Sequence, residues 1–167
     1  MHNELTEMDI RKMQEEIDYR MTVLRPKLLE DLATARAFGD LSENFEYKAA
    51  KQELRKCDSR LRYLRNMIST ARVIPTDDRE GIVGLHDRVT IYYEEDDEEE
   101  IIELVTTVRQ KAAQGYISKE SPLGRAIMGK KAGDRVEVKL DGGDGYFVVI
   151  RAVEKGTDDG SIPINRF

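Results

Sequence analysis

From Tyr47 onward the apolar residues fall at Tyr47, Ala50, Leu54, Cys57, Leu61, Leu64, Ile68 and Ala71, in steps that alternate strictly between three and four. That alternation is the seam of a coiled coil, and it leaves the remainder of the helix surface polar. An earlier run, Ile10, Met13, Ile17, Met21, Leu24, Leu28, Leu32 and Ala35, keeps to one helical face in the same way. Two helices with one apolar stripe each, joined by a short connection, bury those stripes only against each other. The pair is therefore predicted to be an antiparallel helical hairpin. Arms of about 28 residues reach roughly 40 Å at the helical rise per residue. Pro26 lies inside the first arm but off its stripe, so it should kink the helix by removing one backbone hydrogen bond.

Charged residues make up 36% of the 167-residue chain and the formal net charge is −6, which argues against duplex binding through a uniformly basic surface. No apolar run is long enough to span a bilayer, and MHNELTEMDI has neither the basic start nor the apolar segment of a secretory signal. A cytoplasmic protein without a membrane partner is expected. Cys57 is the only cysteine, and with only His2 and His86 beside it a disulfide or a cysteine and histidine zinc cluster is excluded. There is no glycine-rich phosphate loop, nucleophile elbow or histidine metal motif. The chain offers no self-contained catalytic centre and no pocket motif for a small-molecule substrate.

After Arg72 the pattern changes. VIPTDDREG reads as a linker, and RVTIYY, EIIELVTTV, DRVEVKL and YFVVIRAVEK have the β-branched and aromatic content of strands. DGGDG between the last two marks a hairpin turn. SPLGRAIMG suggests a short helix opened by Ser121 at the cap and Pro122 at the first position. The expected class is α+β: a coiled-coil hairpin over residues 1–75, a linker over 76–83, a small antiparallel sheet domain with one helix over 84–157, and a tail over 158–167 without an assigned role. The acid run Glu94 to Glu100 reads as a solvated hairpin loop, too flexible to set a metal geometry. Cys57 belongs in the seam, and His86 reads as structural or exposed.

The connection between the arms is FGDLSENFEY, residues 38–47. Gly39 suits the left-handed residue that ends a helix, and Asp40 with Glu43 three positions later fits a capping box. Spacing alone favours that plain cap. Position supplies the alternative, since two carboxylates at the end of a hairpin roughly 40 Å long can enter a cleft closed to a globular body. They are too few for a stand-alone magnesium site, which keeps waters and takes phosphates besides carboxylates, but enough to lend ligands to another protein's metal. The second arm holds eight basic residues (48, 51, 55, 56, 60, 62, 65, 72) against Glu53 and Asp58. Arg36, Lys48 and Lys51 lie near the turn, where they could hold nucleic-acid phosphates. A solvated face pairing with the acidic first arm accounts for the same residues equally well.

Three segments, ARAFGDLSENFEYKAAKQEL, RPKLLEDLATARA and ISKESPLGRAIMGKKAGDRVEV, resemble the bacterial GreA/GreB transcript cleavage factors, over roughly residues 8–155. The resemblance implies that the hairpin enters the secondary channel of bacterial RNA polymerase while the second domain, similar to the FK506-binding-protein fold, grips the channel rim. It implies that Asp40 and Glu43 are the two tip acids that help hold a magnesium ion of the polymerase and position the attacking water at a backtracked nascent RNA 3′ end. Gly39, Leu41, Asn44 and Tyr47 match tip-shaping positions, and Arg36 and Lys51 match the basic patch near the RNA, with Lys48 beside them. Lysine at position 51 replaces a frequent arginine and loses its planar fork. On this resemblance the protein has no cofactor of its own and is no enzyme; the polymerase hydrolyses the RNA. LVTTVRQKAAQGYIS departs from the family's pattern, and the acid run is long for it. The alternatives are a channel-occupying regulator or coiled-coil adaptor that promotes no hydrolysis and, third, an autonomous nuclease.

Overall fold

The computed structural model describes every residue except Met1, Leu41, Ser42 and Phe167. The chain divides into two compact units, one formed by Ile10–Ala71 and the other by the residues up to Asp9 together with Arg72–Arg166. No helix among the described residues is long and apolar enough to cross a membrane.

In the hairpin unit, α1 (Glu7–Tyr19) runs through a π-helical turn (Arg20–Leu24) into α2 (Arg25–Arg36), and α3 (Phe45–Ser69) returns. Met13, Ile17 and Ala35 are buried from the first arm and Cys57, Leu61 and Leu64 from the second, as the spacing predicts, while one turn further on Met67 is buried and the predicted Ile68 is only half-buried. Pro26 shows its effect one turn early. Arg25 N–H donates to Arg20 O, a bond spanning five residues, and the proline without an N–H follows at once. A π turn carries an extra residue, so the stripe slips in register. Met21, predicted on the stripe, is 41% exposed, while Arg20 turns inward and binds Glu16 at 2.8 Å. Glu16 also receives the fork of Arg60, Nε at 2.7 Å and Nη2 at 3.0 Å. Burial pushes the Glu16 carboxyl up, but hydrogen bonds from Arg60 and Arg20 outweigh it and hold the group below its ordinary value. Arg25 and Asp58 form a second cross-arm pair at 2.8 Å. Part of the basic arm therefore does pair with the acidic one.

The second unit opens with β1 (Glu4–Leu5) and β2 (Arg72–Val73), which pair in parallel. Its main sheet comprises β3 (Arg88–Tyr93), β4 (Glu98–Val105), β5 (Tyr116–Ser118), β6 (Arg135–Lys139) and β7 (Gly145–Glu154), in the order β5-β4-β3-β7-β6. The sheet is mixed rather than wholly antiparallel, because β5 lies parallel to β4. Two short 3₁₀ turns, Thr107–Arg109 and Ala112–Gln114, bring the chain back to the same edge in the same direction. Three residues are too few to show a period, so β5 left no pattern to read. Helix α4 (Pro122–Ile127) packs Leu123 and Ile127 onto Val89, Ile91, Ile102, Leu104, Val136, Val138, Val148 and Ile150. Ser121 caps it, accepting from Gly124 N–H at 3.0 Å and donating to Ser118 O at 2.7 Å. Gly124 sits so close that a Cβ would meet Ser118 O at 2.1 Å, which explains why the helix carries glycine there. The acid run is half turn and half strand, since β4 begins at Glu98. Four of its seven acids are engaged: Glu94 by Arg135, Asp97 by Tyr92, Glu99 by Arg151 and Glu100 by Tyr93.

The first turn of α1 is fixed within this second unit. Thr6 and Asp9 form a reciprocal capping box, Thr6 N–H to Asp9 Oδ2 at 2.9 Å and Asp9 N–H to Thr6 Oγ1 at 3.2 Å. Asp9, fully buried, also accepts from Thr106 Oγ1 at 2.8 Å and from Arg109 at 3.2 Å. Arg109, equally buried, forks onto Asp158 and donates to Ile162 O. The tail is thereby folded, with Ile162 and Ile164 buried and Asn165 N–H donating to Val108 O. His86, 3% exposed, lies 3.4 Å from both Glu103 and Asp158, a structural histidine. Asp158 is pushed up by burial but brought below its ordinary value by Arg109 and the Gly160 N–H.

Removing one partner of a buried ion cluster strands the other, so Asp9→Ala should lower unfolding free energy by about 3–5 kcal/mol in urea titration; a change within experimental error would show the cluster to be dispensable. The Asp158 contribution is present above the unfolded carboxyl value near 3.9 and is lost as pH falls through the lower folded value. The melting temperature of the wild type should fall more steeply below about pH 4 than that of Asp158→Asn; parallel profiles would contradict the assignment.

Candidate functional site

The turn of the hairpin is built from both helix ends. Helix α2 closes with Ala37, whose N–H reaches back to Ala33 O, and Phe38 N–H donates to Ala35 O at 3.2 Å. Gly39 then takes φ +106°, the left-handed region that its lack of Cβ permits. Helix α3 starts from Asn44, which has extended dihedrals and accepts from Tyr47 N–H on Oδ1 at 3.0 Å. The same side chain donates from Nδ2 to Ala35 O at 2.7 Å. One amide thus caps the incoming helix and ties it to the last turn of the outgoing one. This corrects the capping box expected at Asp40 and Glu43, since the helix begins later and Asn44 supplies its cap. Both acids are exposed in the turn.

Tyr47, half-buried one turn into α3, is the platform for the basic side chains. Arg36 Cζ lies 5.7 Å from its ring centroid and Lys51 Nζ 5.9 Å, one cation from each arm. Lys48 Nζ lies 5.8 Å from the Phe45 ring. Arg36, Lys48 and Lys51 are all exposed. The turn therefore gathers three exposed cations and two exposed carboxylates around the half-buried Tyr47 and Asn44. Leu41, predicted as tip-shaping, lies outside the described residues; Gly39, Asn44 and Tyr47 are placed as above. Sequence reasoning passed over Phe38 and Phe45, 72% and 83% exposed. Their signal was two aromatic residues inside a short polar connection. The role of Asn44 as cap was missed too; its signal was a cap-favouring residue three positions before the first seam residue, but Asp40 with Glu43 fitted a cap rule as well.

Such a turn, with two exposed carboxylates at the end of a two-helix hairpin and a small mixed sheet in the other unit, is the pairing of elements on which the comparisons bear. Residues 3–73 match the family described as "Transcription elongation factor, N-terminal", and residues 78–155 match "Transcription elongation factor, GreA/GreB, C-term". The chain is 36% identical over 141 residues to the transcription elongation factor GreA of Bacillus subtilis, covering 84% of this chain and 90% of that one. It is 39% identical over 140 residues to GreA of Thermoanaerobacter pseudethanolicus, covering 83% and 89%. Among solved structures, the GreA factor homolog 1 (Gfh1) of Thermus thermophilus is similar at TM-score 0.40 and 19% identity, over 91% of this chain and 98% of that one. The chain belongs to the GreA/GreB family of transcription elongation factors.

Asn44→Ala removes both the cap and the cross-turn bond, and the loss expected for the cap alone is about 0.5–2 kcal/mol. Amide exchange at Tyr47 and Lys48 should accelerate, with the centre of α3 unaffected. Unchanged protection at those amides would contradict the role given to Asn44.

Proposed function

We propose that this elongation factor binds bacterial RNA polymerase, delivers its hairpin turn through the secondary channel, and stimulates cleavage of the 3′ end of backtracked RNA. The observation that carries this is the exposure of Asp40 and Glu43 at the hairpin end, on a turn whose helix cap is Asn44. Two carboxylates do not hold a metal alone, and among the described residues no cluster of three or more His, Cys, Asp or Glu side chains is arranged to do so. The pair does fit a shared site, because magnesium takes one or two carboxylates and completes its shell with waters and phosphates. Asp40 and Glu43 would help hold a magnesium ion belonging to the polymerase, and that ion, when bound, supplies charge stabilisation and an activated water. The carboxylates orient the water by accepting its hydrogen bonds. Arg36, Lys48 and Lys51 hold the RNA phosphates near the tip, and the second unit grips the channel rim. The chain contributes ligands and position, whereas the hydrolysis belongs to the polymerase.

Adding the protein to a backtracked polymerase complex with magnesium should release short 3′ fragments. Asp40→Asn combined with Glu43→Gln should slow that release by at least about tenfold, the scale of lost metal support, while polymerase binding persists. Equal cleavage by wild type and double variant would falsify the assignment. Nucleotide addition measured in parallel separates the alternative, because a channel-occupying regulator slows synthesis and yields no fragments. Free RNA incubated with the protein alone should remain intact.

A further inference from the structure

Phe38 and Phe45 are two of the four phenylalanines in the chain, and at 72% and 83% they are the most exposed large apolar side chains among the described residues. They bracket the two acids, one on each side of the turn. Apolar rings left in water forgo the burial that drives folding, so two of them at one turn are informative where a single exposed residue would not be. Charged and polar residues flank them in sequence, Arg36 and Asp40 near the first and Glu43, Asn44 and Glu46 near the second, with Ala37 and Leu41 the apolar residues among them. Lys48 lies over the Phe45 ring, and Arg36 and Lys51 lie over Tyr47 just beneath.

Exposed aromatic faces interleaved with cations form the arrangement that binds single-stranded nucleic acid. The cations follow the phosphates, and the rings stack on unpaired bases without regard to sequence. An apolar protein surface would instead call for apolar neighbours around the rings. We propose that Phe38 and Phe45 are stacking residues for the unpaired bases of the extruded RNA 3′ end, positioning the strand so that the bond to be cut lies beside Asp40 and Glu43. This rests on the placement of the tip beside that RNA end. The rings do no chemistry themselves; they set the register of the RNA.

The test uses the full chain with a polymerase complex assembled on RNA whose extruded terminal nucleotides are either natural or abasic. On natural RNA, Phe38→Ala and Phe45→Ala should each raise the factor concentration giving half-maximal cleavage by about fivefold or more, the range of a lost base stack. Phe→Leu at either position, which keeps an apolar side chain, should behave likewise. On abasic RNA all variants should match the wild type. Equal losses on both RNAs overturn the proposal and assign the rings to a protein surface, and no loss on either overturns it outright. A second readout does not depend on hydrolysis. With calcium replacing magnesium and 2-aminopurine at the RNA terminus, wild-type protein should quench the fluorescence and the alanine variants should not. Absence of quenching by bound wild type overturns stacking, whereas quenching without cleavage counts against the hydrolytic role alone.

Discussion

The Asn44 side chain accepts from the Tyr47 N–H and donates to the Ala35 carbonyl, and through those two bonds it fixes where one helix ends and the other begins. The buried seam and the Glu16–Arg60 and Arg25–Asp58 pairs hold the arms along their length, and the turn sets where the second arm starts. With α3 started at that point, Tyr47 stands one turn in with Arg36 and Lys51 on its ring. Neither Asp40 nor Glu43 is needed to begin a helix. The same local chemistry that ends one arm and begins the other therefore presents two carboxylates at the far end of the hairpin.

Charge is distributed unequally between shape and function. Inside the hairpin, Glu16 and Arg60 form a partly buried pair, and in the second unit Arg109 bridges Asp9, Asp158 and the Ile162 carbonyl. Buried pairs of this kind contribute little net stability compared with apolar packing, but a chain that misplaces one partner leaves a charge stranded. They specify arrangement. The charges at the turn are exposed instead, and solvent weakens them until a partner excludes water. Arg109 in particular joins the first turn of α1, a 3₁₀ turn and the tail, three segments far apart in sequence.

Much of this was legible before any coordinates. The three-four seam through Cys57, Leu61 and Leu64 gave the second arm because a two-helix hairpin allows only one buried face. Ser121 and Pro122 gave the start of α4 for the local reasons that govern any helix start. What escaped reading depended on tertiary context or on competing local rules. Met21 left the stripe because a π turn before Pro26 shifted the register by a residue, and spacing cannot announce a π turn. Strand β5 was too short to carry a period, and its parallel pairing depends on the two turns before it. Arg109 carried no sign of its role, since nothing local marks a buried arginine whose partners lie at positions 9 and 158. At the turn, Asp40 and Asn44 both satisfied cap rules, and only the position of the first helical residue decides between them.

The central claim, that Asp40 and Glu43 share in holding a magnesium ion of another protein, is tested most directly by the magnesium dependence of cleavage. A backtracked polymerase complex saturated with factor is titrated with magnesium, once with the wild type and once with Asp40→Asn. If the tip lends a ligand, the magnesium concentration at half-maximal cleavage rises in the variant by about tenfold or more, the scale on which metal sites lose affinity when support is removed. An unchanged midpoint, with only the maximal rate altered, would mean that the carboxylate acts on something other than the metal.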